Sequence, residues 1–593
     1  MTDQSVCEDL LNPSDLASGG VPKLCGADVE LGNFVLGGTP RSDFRGTGLE
    51  AALLLFREMP GLLFTESSHP DQHDSGSTWS IPHVWGTLSS SCEHQGQCGL
   101  QSGGRKFIPA NGGCSYIDHS HLELCLPETL SAFDSVAAWY SMLHITRSAL
   151  ERANSKLPQG INIKVLVNNS DGQGNSYGSH TNFLVSRRCF QNIFERKLHY
   201  GLFLASYLTS SIILTGAGKV GSENGRPPVD FQIAQRADFF ESLMGTQTTY
   251  RRPIVNSRDE AHSAGAPLAR LHVIFFDSTM CHVSSLLKIG PTQIVLAMIE
   301  QDQVASDLIL QEPLKAVVSW SHDPDLRSKG QLISGAQYTA AEIQLAILER
   351  ARKFVARGRA DGIVPFAREI LALWEDTLLK LQARDFEALV PRLDWVMKRS
   401  ILERAIEQHP QLTWNSPQLK HLDLLYSSLD KDGLYWVYEP DFVEKLVSAE
   451  AVNCFIHAPP NDTRAWLRSY LLSRASERID SVDWDYIRFR FQHGGDRHWP
   501  RYSYKTLRMN PLIARRECES AFNASSCLEE AMEMLGAEET DRYGRPIVHN
   551  HQPGPAVYLP SVTALHNPGE FGREKEVQSG QIRAPSGVWP PEQ

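Results

Sequence analysis

The spacing of apolar and polar positions changes several times along the chain, and each change predicts an element. Residues 24–32 (Leu-Cys-Gly-Ala-Asp-Val-Glu-Leu-Gly) place Asp28 and Glu30 two apart, which in a strand sends both carboxylates to one face. Cys114 to Asp118 reads as a second strand, with Cys114, Tyr116 and Asp118 sharing a face. It follows Asn111-Gly112-Gly113, residues that tolerate the positive φ of a tight turn. Helical periodicity predicts helices over 49–58 and 132–156. Strands are expected over 161–168, 182–185 and 270–276, with a helix ending at Glu300. Residues 340–410 read as largely helical, with acids and bases interspersed on solvated faces. A smaller helix-then-strand unit within 446–513 contains Trp484. Ser67 to Gly104 is rich in Ser, Gly, His and Gln without periodicity, which predicts a long loop inside the main unit of 23–445. Residues 1–22 are expected to be a flexible extension, and 514–593 a helix followed by a disordered Pro/Gly-rich tail.

Composition narrows the class. A chain of 593 residues with 41% hydrophobic and 21% charged content can bury a large core and form more than one domain. A net charge of −12 without a dense Lys/Arg run argues against nucleic acid as a partner. The N-terminus carries no basic segment followed by an apolar run, and no uninterrupted apolar stretch approaches a membrane span. A cytoplasmic protein without a membrane partner is therefore expected. Its 11 scattered cysteines suit reduced thiols rather than a disulfide framework. Cys92 and Cys98 flank His94, but this is not a zinc-ligand spacing.

Two stretches concentrate titratable groups. Asp28 and Glu30 on one strand face repel each other unless a cation lies between them, which points to a hard, oxygen-ligated metal such as Mg²⁺. Asp118 is followed by His119, His121 and Glu123. A solvated edge strand ending in a loop accounts for either stretch taken alone. Two other motifs do not hold up. Gly174-Asn-Ser-Tyr-Gly178 fits the G-x-S-x-G pattern, but a strand rather than a helix is expected after it. Gly216-Ala-Gly-Lys219 lacks the earlier glycine of a P-loop and has Val220 where Ser or Thr should stand.

The two stretches belong to an ordered series: Gly-Ala-Asp-Val-Glu-Leu-Gly (26–32), the Asn-Gly-Gly to Leu-Glu run (111–123), and Asn-Asn-Ser-Asp-Gly to Ser-His (168–180). Thr-Gly-Ala-Gly-Lys-Val-Gly (215–221), Gln-Arg-Ala-Asp (235–238), Arg-Pro-Ile-Val-Asn-Ser-Arg-Asp-Glu (252–260), Arg-Leu-His-Val-Ile (270–274), Leu393-Asp394-Trp395 and residues 459–465 complete it. In this order the motifs resemble the family of the Pup ligase and the Pup deamidase/depupylase, carboxylate-amine ligases related to glutamine synthetase. The resemblance implies an α+β (α/β) fold, a large curved and mostly antiparallel sheet packed with helices, plus a small C-terminal domain. It further implies Mg²⁺ held by Asp28, Glu30, Tyr116 and Glu123, a catalytic Asp118, and nucleotide contacts from Trp484, His180 and Arg258. ATP or ADP and Mg²⁺ are the implied cofactors. The implied partner is a prokaryotic ubiquitin-like modifier with its protein conjugates, and through them a proteasome. In ligases of this type the aspartate assists deprotonation of the lysine amine. In the depupylase branch it acts at the carbonyl, as nucleophile or by activating water. Asp-His-Ser-His (118–121), Asp-Gly-Gln-Gly (171–174) and the long loop look closer to the depupylase branch.

Five positions depart from the family pattern. Asp28 replaces a glutamate, Cys114 stands where an ATP-contacting arginine is expected, and Thr181 replaces a glutamate. Thr279 and His282 stand for Asn and Glu. Three readings follow: a depupylase/deamidase-like enzyme, an ATP-dependent ligase joining the modifier's C-terminal glutamate to lysines, and a non-catalytic modifier-binding homologue.

Overall fold

Cys25–Leu36 (β1) is long enough to pair with three other strands, and the main sheet is built around it. The computed structural model describes residues 20–37, 44–64, 104–259, 267–493 and 502–547. The remaining strands are β2 (Leu62–Phe64), β3 (Arg105–Phe107), β4 (Cys114–Asp118), β5 (His121–Cys125), β6 (Asn162–Leu166), β7 (Ser179–Ser186) and β8 (Leu268–Val273). They form one sheet in the order β8-β7-β1-β5-β4-β3-β2, with β6 pairing the far half of β1 and every pairing antiparallel. Alternation assigns the faces. Ala27, Val29, Leu31, Ile117, Leu122 and Leu124 join the main core, while Asp28, Glu30, Tyr116 and Asp118 point the other way.

Helices cover the core face. The helix Phe44–Glu58 (α1) contributes Ala51 and Leu55, and Ala132–Ser155 (α2) contributes Val136 and Trp139. Ser131 caps α2 by accepting from the backbone N–H groups of Phe133 and Asp134. Leu198–Thr215 (α3) and His282–Glu300 (α4) are long and apolar enough to cross a membrane, but 83% and 100% of their apolar windows are buried in the protein. They are core helices, apolar on every side because other elements surround them. Helices Ala340–Ala356, Ala367–Ala383 and Asp394–Gln408 bear out the helical reading of 340–410.

The mixed α/β architecture expected from the motifs is thus present. The strand expected over 270–276 ends at Val273, because the carbonyls of Ile274 and Phe276 accept from Arg236 instead of a neighbouring strand. The G-x-S-x-G segment forms a turn closed by a Ser170–Ser176 bridge and leads into β7, so it is no nucleophile elbow. The loop expected over 67–104 lies outside the described residues except for Gly104, as do Cys92, Cys98, residues 1–19 and the tail beyond 547.

A second core forms where the C-terminal segment meets the sheet. It joins Phe107, Cys114 and Cys125 to Leu467 and Leu471 of the helix Arg464–Ala475 (α5) and to Ile487 and Phe489. The segment carries a four-stranded sheet of Ile479–Val482, Tyr486–Gln492, Tyr502–Arg508 and Glu538–Thr540. Its folded part therefore continues past the boundary expected at 513, with Glu538–Thr540 pairing Tyr502–Arg508. An ion network fastens this unit to the sheet. Arg464 Nε lies 2.7 Å from Glu128 Oε1, Arg468 pairs with Glu128 Oε2, and Arg468 Nε donates 2.9 Å to the Gly112 carbonyl. Gly112 sits at φ +75°, and a Cβ there would lie 2.6 Å from the Ala465 carbonyl oxygen, so only glycine fits between turn and helix.

The buried network generates a stability prediction. Arg468→Met leaves Glu128 charged in a dry interior, so urea denaturation is expected to show a loss of about 3–5 kcal/mol. Arg399→Met, at a part-exposed pair with Asp325, should cost under about 1 kcal/mol. Burial raises the Glu128 pKa, but Arg468 and Arg464 outweigh it and hold the group at about 2, below its ordinary 4.5. Its contribution is therefore full above the unfolded pKa and is lost as pH falls toward 2. Equal urea stability of wild type and Arg468→Met would contradict this account.

Candidate active site

Register brings the acids together. β1 pairs β5 with Glu30 opposite Glu123, and β4 pairs β5 with Tyr116 opposite Glu123 and Asp118 opposite His121. β7 places His180 opposite Asp28. Carboxylate oxygens of Glu30, Asp118 and Glu123 lie within 4.8 Å of one another, and so do ligand atoms of Asp28, Glu123 and Cys125. Glu123 is common to both groups and only 3% exposed.

Neighbouring groups hold the acids in place. His121 Nδ1 lies 2.9 Å from Glu30 Oε2, and its ring packs on Tyr177 at 4.4 Å between centroids. The Gly178 N–H donates 2.8 Å to Glu30 Oε1. A Cβ at Gly178 would fall 2.7 Å from that oxygen and 2.6 Å from His180 Nε2, so glycine is required for this approach. Asn182 donates 2.8 Å to Asp28 Oδ2 while its Oδ1 accepts from Arg270. Asp118 Oδ1 is buried and makes no hydrogen bond among the described residues.

The electrostatics follow from this crowding. Burial, then the charges of Glu30, Asp28 and Asp118, push the Glu123 carboxyl well above its ordinary range. Burial and Glu30 raise Asp118 to about 6. Glu30 is the charged member: burial opposes ionisation, but the His121 hydrogen bond and charge bring it down to about 2. Hard divalent cations take oxygen donors, and the carboxylates of Asp28, Glu30, Asp118 and Glu123 supply them. The Cys125 thiol, pushed well up by burial, stays protonated and adds no anionic ligand. The residues present therefore fit Mg²⁺.

Trp484 packs on the second core, at the joint with the sheet. It is half-buried, its ring 5.7 Å from Phe107 and under the Arg468 guanidinium at 4.8 Å. His180 stands in the array beside Asp28, its ring 4.9 Å from His272, and burial lowers its pKa to about 4, leaving it neutral. Arg258 does not lie on this sheet: it follows the strand Arg252–Asn256, which pairs with Phe240–Gly245 in a separate two-stranded sheet. Of the departures, Thr181, Thr279 and His282 are buried. Thr181 faces away from the array, Thr279 bonds Ser285 at 2.9 Å, and the His282 ring packs on Tyr140 at 4.2 Å. Cys114 is fully buried in the joint with the C-terminal unit.

Sequence reasoning passed over several cations. Arg236 is fully buried and held at about 9 by burial and by Arg252, and both act electrostatically on the Glu30 side. They lie on a turn and on a different sheet, so no periodicity signals them. Arg270 and His272, two apart on β8, share a face and could have been read from that spacing.

Binding of a divalent cation should raise the melting temperature of the wild type, since a ligand at about 100-fold its Kd stabilises by about 2.7 kcal/mol. Glu123→Gln, which removes the acid common to both groups, is expected to lose most of that shift in scanning calorimetry. A full shift in the variant would contradict the metal assignment.

Residues 64–488 match the family described as Pup-ligase protein. A depupylase of Acidothermus cellulolyticus is 37% identical over 385 residues, 64% of this chain and 75% of that protein. A Pup deamidase/depupylase of Mycolicibacterium smegmatis is 35% identical over 396 residues, 66% of this chain and 77% of that protein. A Pup–protein ligase of Acidimicrobium ferrooxidans is 35% identical over 390 residues, 64% and 83% of the two chains. Among solved structures, the complex of prokaryotic ubiquitin-like protein Pup with its ligase PafA superposes with a TM-score of 0.66 at 23% identity, covering 88% of this chain and 94% of that one. PafA in complex with ADP gives 0.59 at 26% identity, covering 73% and 89%. With its matched motifs and this sheet, the chain belongs to the Pup-ligase family of enzymes.

Proposed function

We propose that this protein cleaves the bond at the C-terminal residue of a Pup-like modifier, as a depupylase or deamidase, with a Mg-nucleotide bound over the carboxylate array. The observation that carries the reading is the placement of Asp118. It is part-exposed, with an oxygen that accepts no hydrogen bond among the described residues. Asp28, Glu30, Tyr116 and Glu123 would hold the metal, and Trp484 and His180 would flank the nucleotide. Bound Mg²⁺ neutralises phosphate charge and polarises the reacting carbonyl.

In this reading Asp118 accepts a proton from the water that attacks the isopeptide carbonyl. The C–N bond breaks, and the proton leaves with the lysine amine. Glu30, fixed by His121 and Gly178, keeps a negative charge beside Asp118 and favours proton uptake there. The reverse transfer, from a lysine amine to Asp118, would serve a ligase. The modifier and its conjugates are the proposed partners, with a proteasome downstream, and the cytoplasm is the proposed compartment.

A fluorescent modifier conjugate incubated with the protein and Mg-ATP should release free target. Asp118→Asn should slow release by about 10²–10⁴-fold with nucleotide binding retained. Formation of new conjugates from free modifier and ATP would replace this reading with the ligase. Neither activity, with nucleotide bound, would leave a modifier-binding homologue.

A further inference from the structure

On the nucleotide reading the array receives a phosphate chain, yet Asp28, Glu30, Asp118 and Glu123 crowd carboxylates onto one face. A polyanion settles there only if protein cations share the work with the metal. On the C-terminal side the candidates are Arg105, Lys106 and Arg468. Lys106 points to the opposite face, donating to the carbonyls of Phe56, Arg57 and Met59. Arg468 is fully buried and spent on Glu128, Gly112 and the Trp484 carbonyl. Cys114, on the site face of β4, is a buried neutral thiol.

Arg105 differs from all three. The register of β3 on β4 pairs Lys106 with Ser115 and Phe107 with Cys114, which sets Arg105 beside Tyr116 on the site face. Its guanidinium lies over the Tyr116 ring at 5.7 Å, and the side chain keeps 18% of its surface exposed. Asp483 Oδ1 accepts from Arg105 Nη1 at 2.7 Å and from the Trp484 N–H at 2.8 Å. One carboxylate oxygen thus ties a cation on the sheet to the tryptophan of the C-terminal unit.

We infer that Arg105 is the phosphate-pairing residue on the C-terminal side of the array, with Asp483 as the clamp that holds it beside Trp484. This rests on the nucleotide-binding reading above. A guanidinium fork matches phosphate oxygens in two-point contact, and such charge-assisted bonds are the strong class.

Calorimetric titration of the full chain with Mg-ADP tests the assignment. Arg105→Gln is expected to weaken Mg-ADP by about 10- to 100-fold. Asp483→Asn, which loosens the clamp and keeps the cation, should weaken it by no more than about threefold. Equal losses in the two variants would show that the pair matters only as a structural strut and would overturn the assignment. So would Arg105→Gln binding like wild type. Wild type failing to bind Mg-ADP would overturn the nucleotide reading and this assignment with it.

Discussion

Mutual repulsion among four carboxylates on one sheet face is the constraint that shapes this molecule. Neighbouring strands of a sheet lie about 5 Å apart, so residues opposite each other on β1, β5 and β4 cannot avoid contact. Asp28, Glu30, Glu123 and Asp118 are brought together by backbone pairing, and the fold answers the repulsion in three ways. His121 and the Gly178 N–H stabilise one charge on Glu30. Burial and the neighbouring acids raise the Glu123 pKa, which disfavours a further charge there. Arg236 and Arg252 supply positive charge from outside the sheet. Such an arrangement costs stability without a ligand and favours one that brings divalent cations.

The C-terminal unit is fastened to the sheet that carries the array. Its attachment runs through the Asn111-Gly112-Gly113 turn, the same turn that launches β4. Arg468 contacts that turn and the Trp484 carbonyl together, so β4 and the tryptophan share one anchor. The neutral Cys114 fits this joint as a packing residue between Phe107 and α5, where a charged side chain would have to be desolvated.

Much of this was legible in sequence, for physical reasons. Asp28 and Glu30 two apart, and Cys114, Tyr116 and Asp118 alternating, declare shared faces once a strand is assumed, because the period of two admits no other outcome. Helix periodicity located α2 within a residue of its observed end. What sequence could not supply was pairing between distant strands. Glu30 opposite Glu123, Arg105 beside Tyr116, and Glu128 between Arg464 and Arg468 depend on contacts more than 10 residues apart. The departures show the same limit: the sequence marks Thr181, Thr279 and His282 as changed, whereas their burial follows from the fold.

The central claim is that the carboxylate array is a Mg-nucleotide site. Calorimetric titration of Mg-ADP and Mg-ATP into wild type and Asp28→Ala tests it most directly. Saturable binding by the wild type, abolished or strongly weakened in Asp28→Ala, is the predicted result. No binding at millimolar nucleotide, or identical binding by the two proteins, would contradict it.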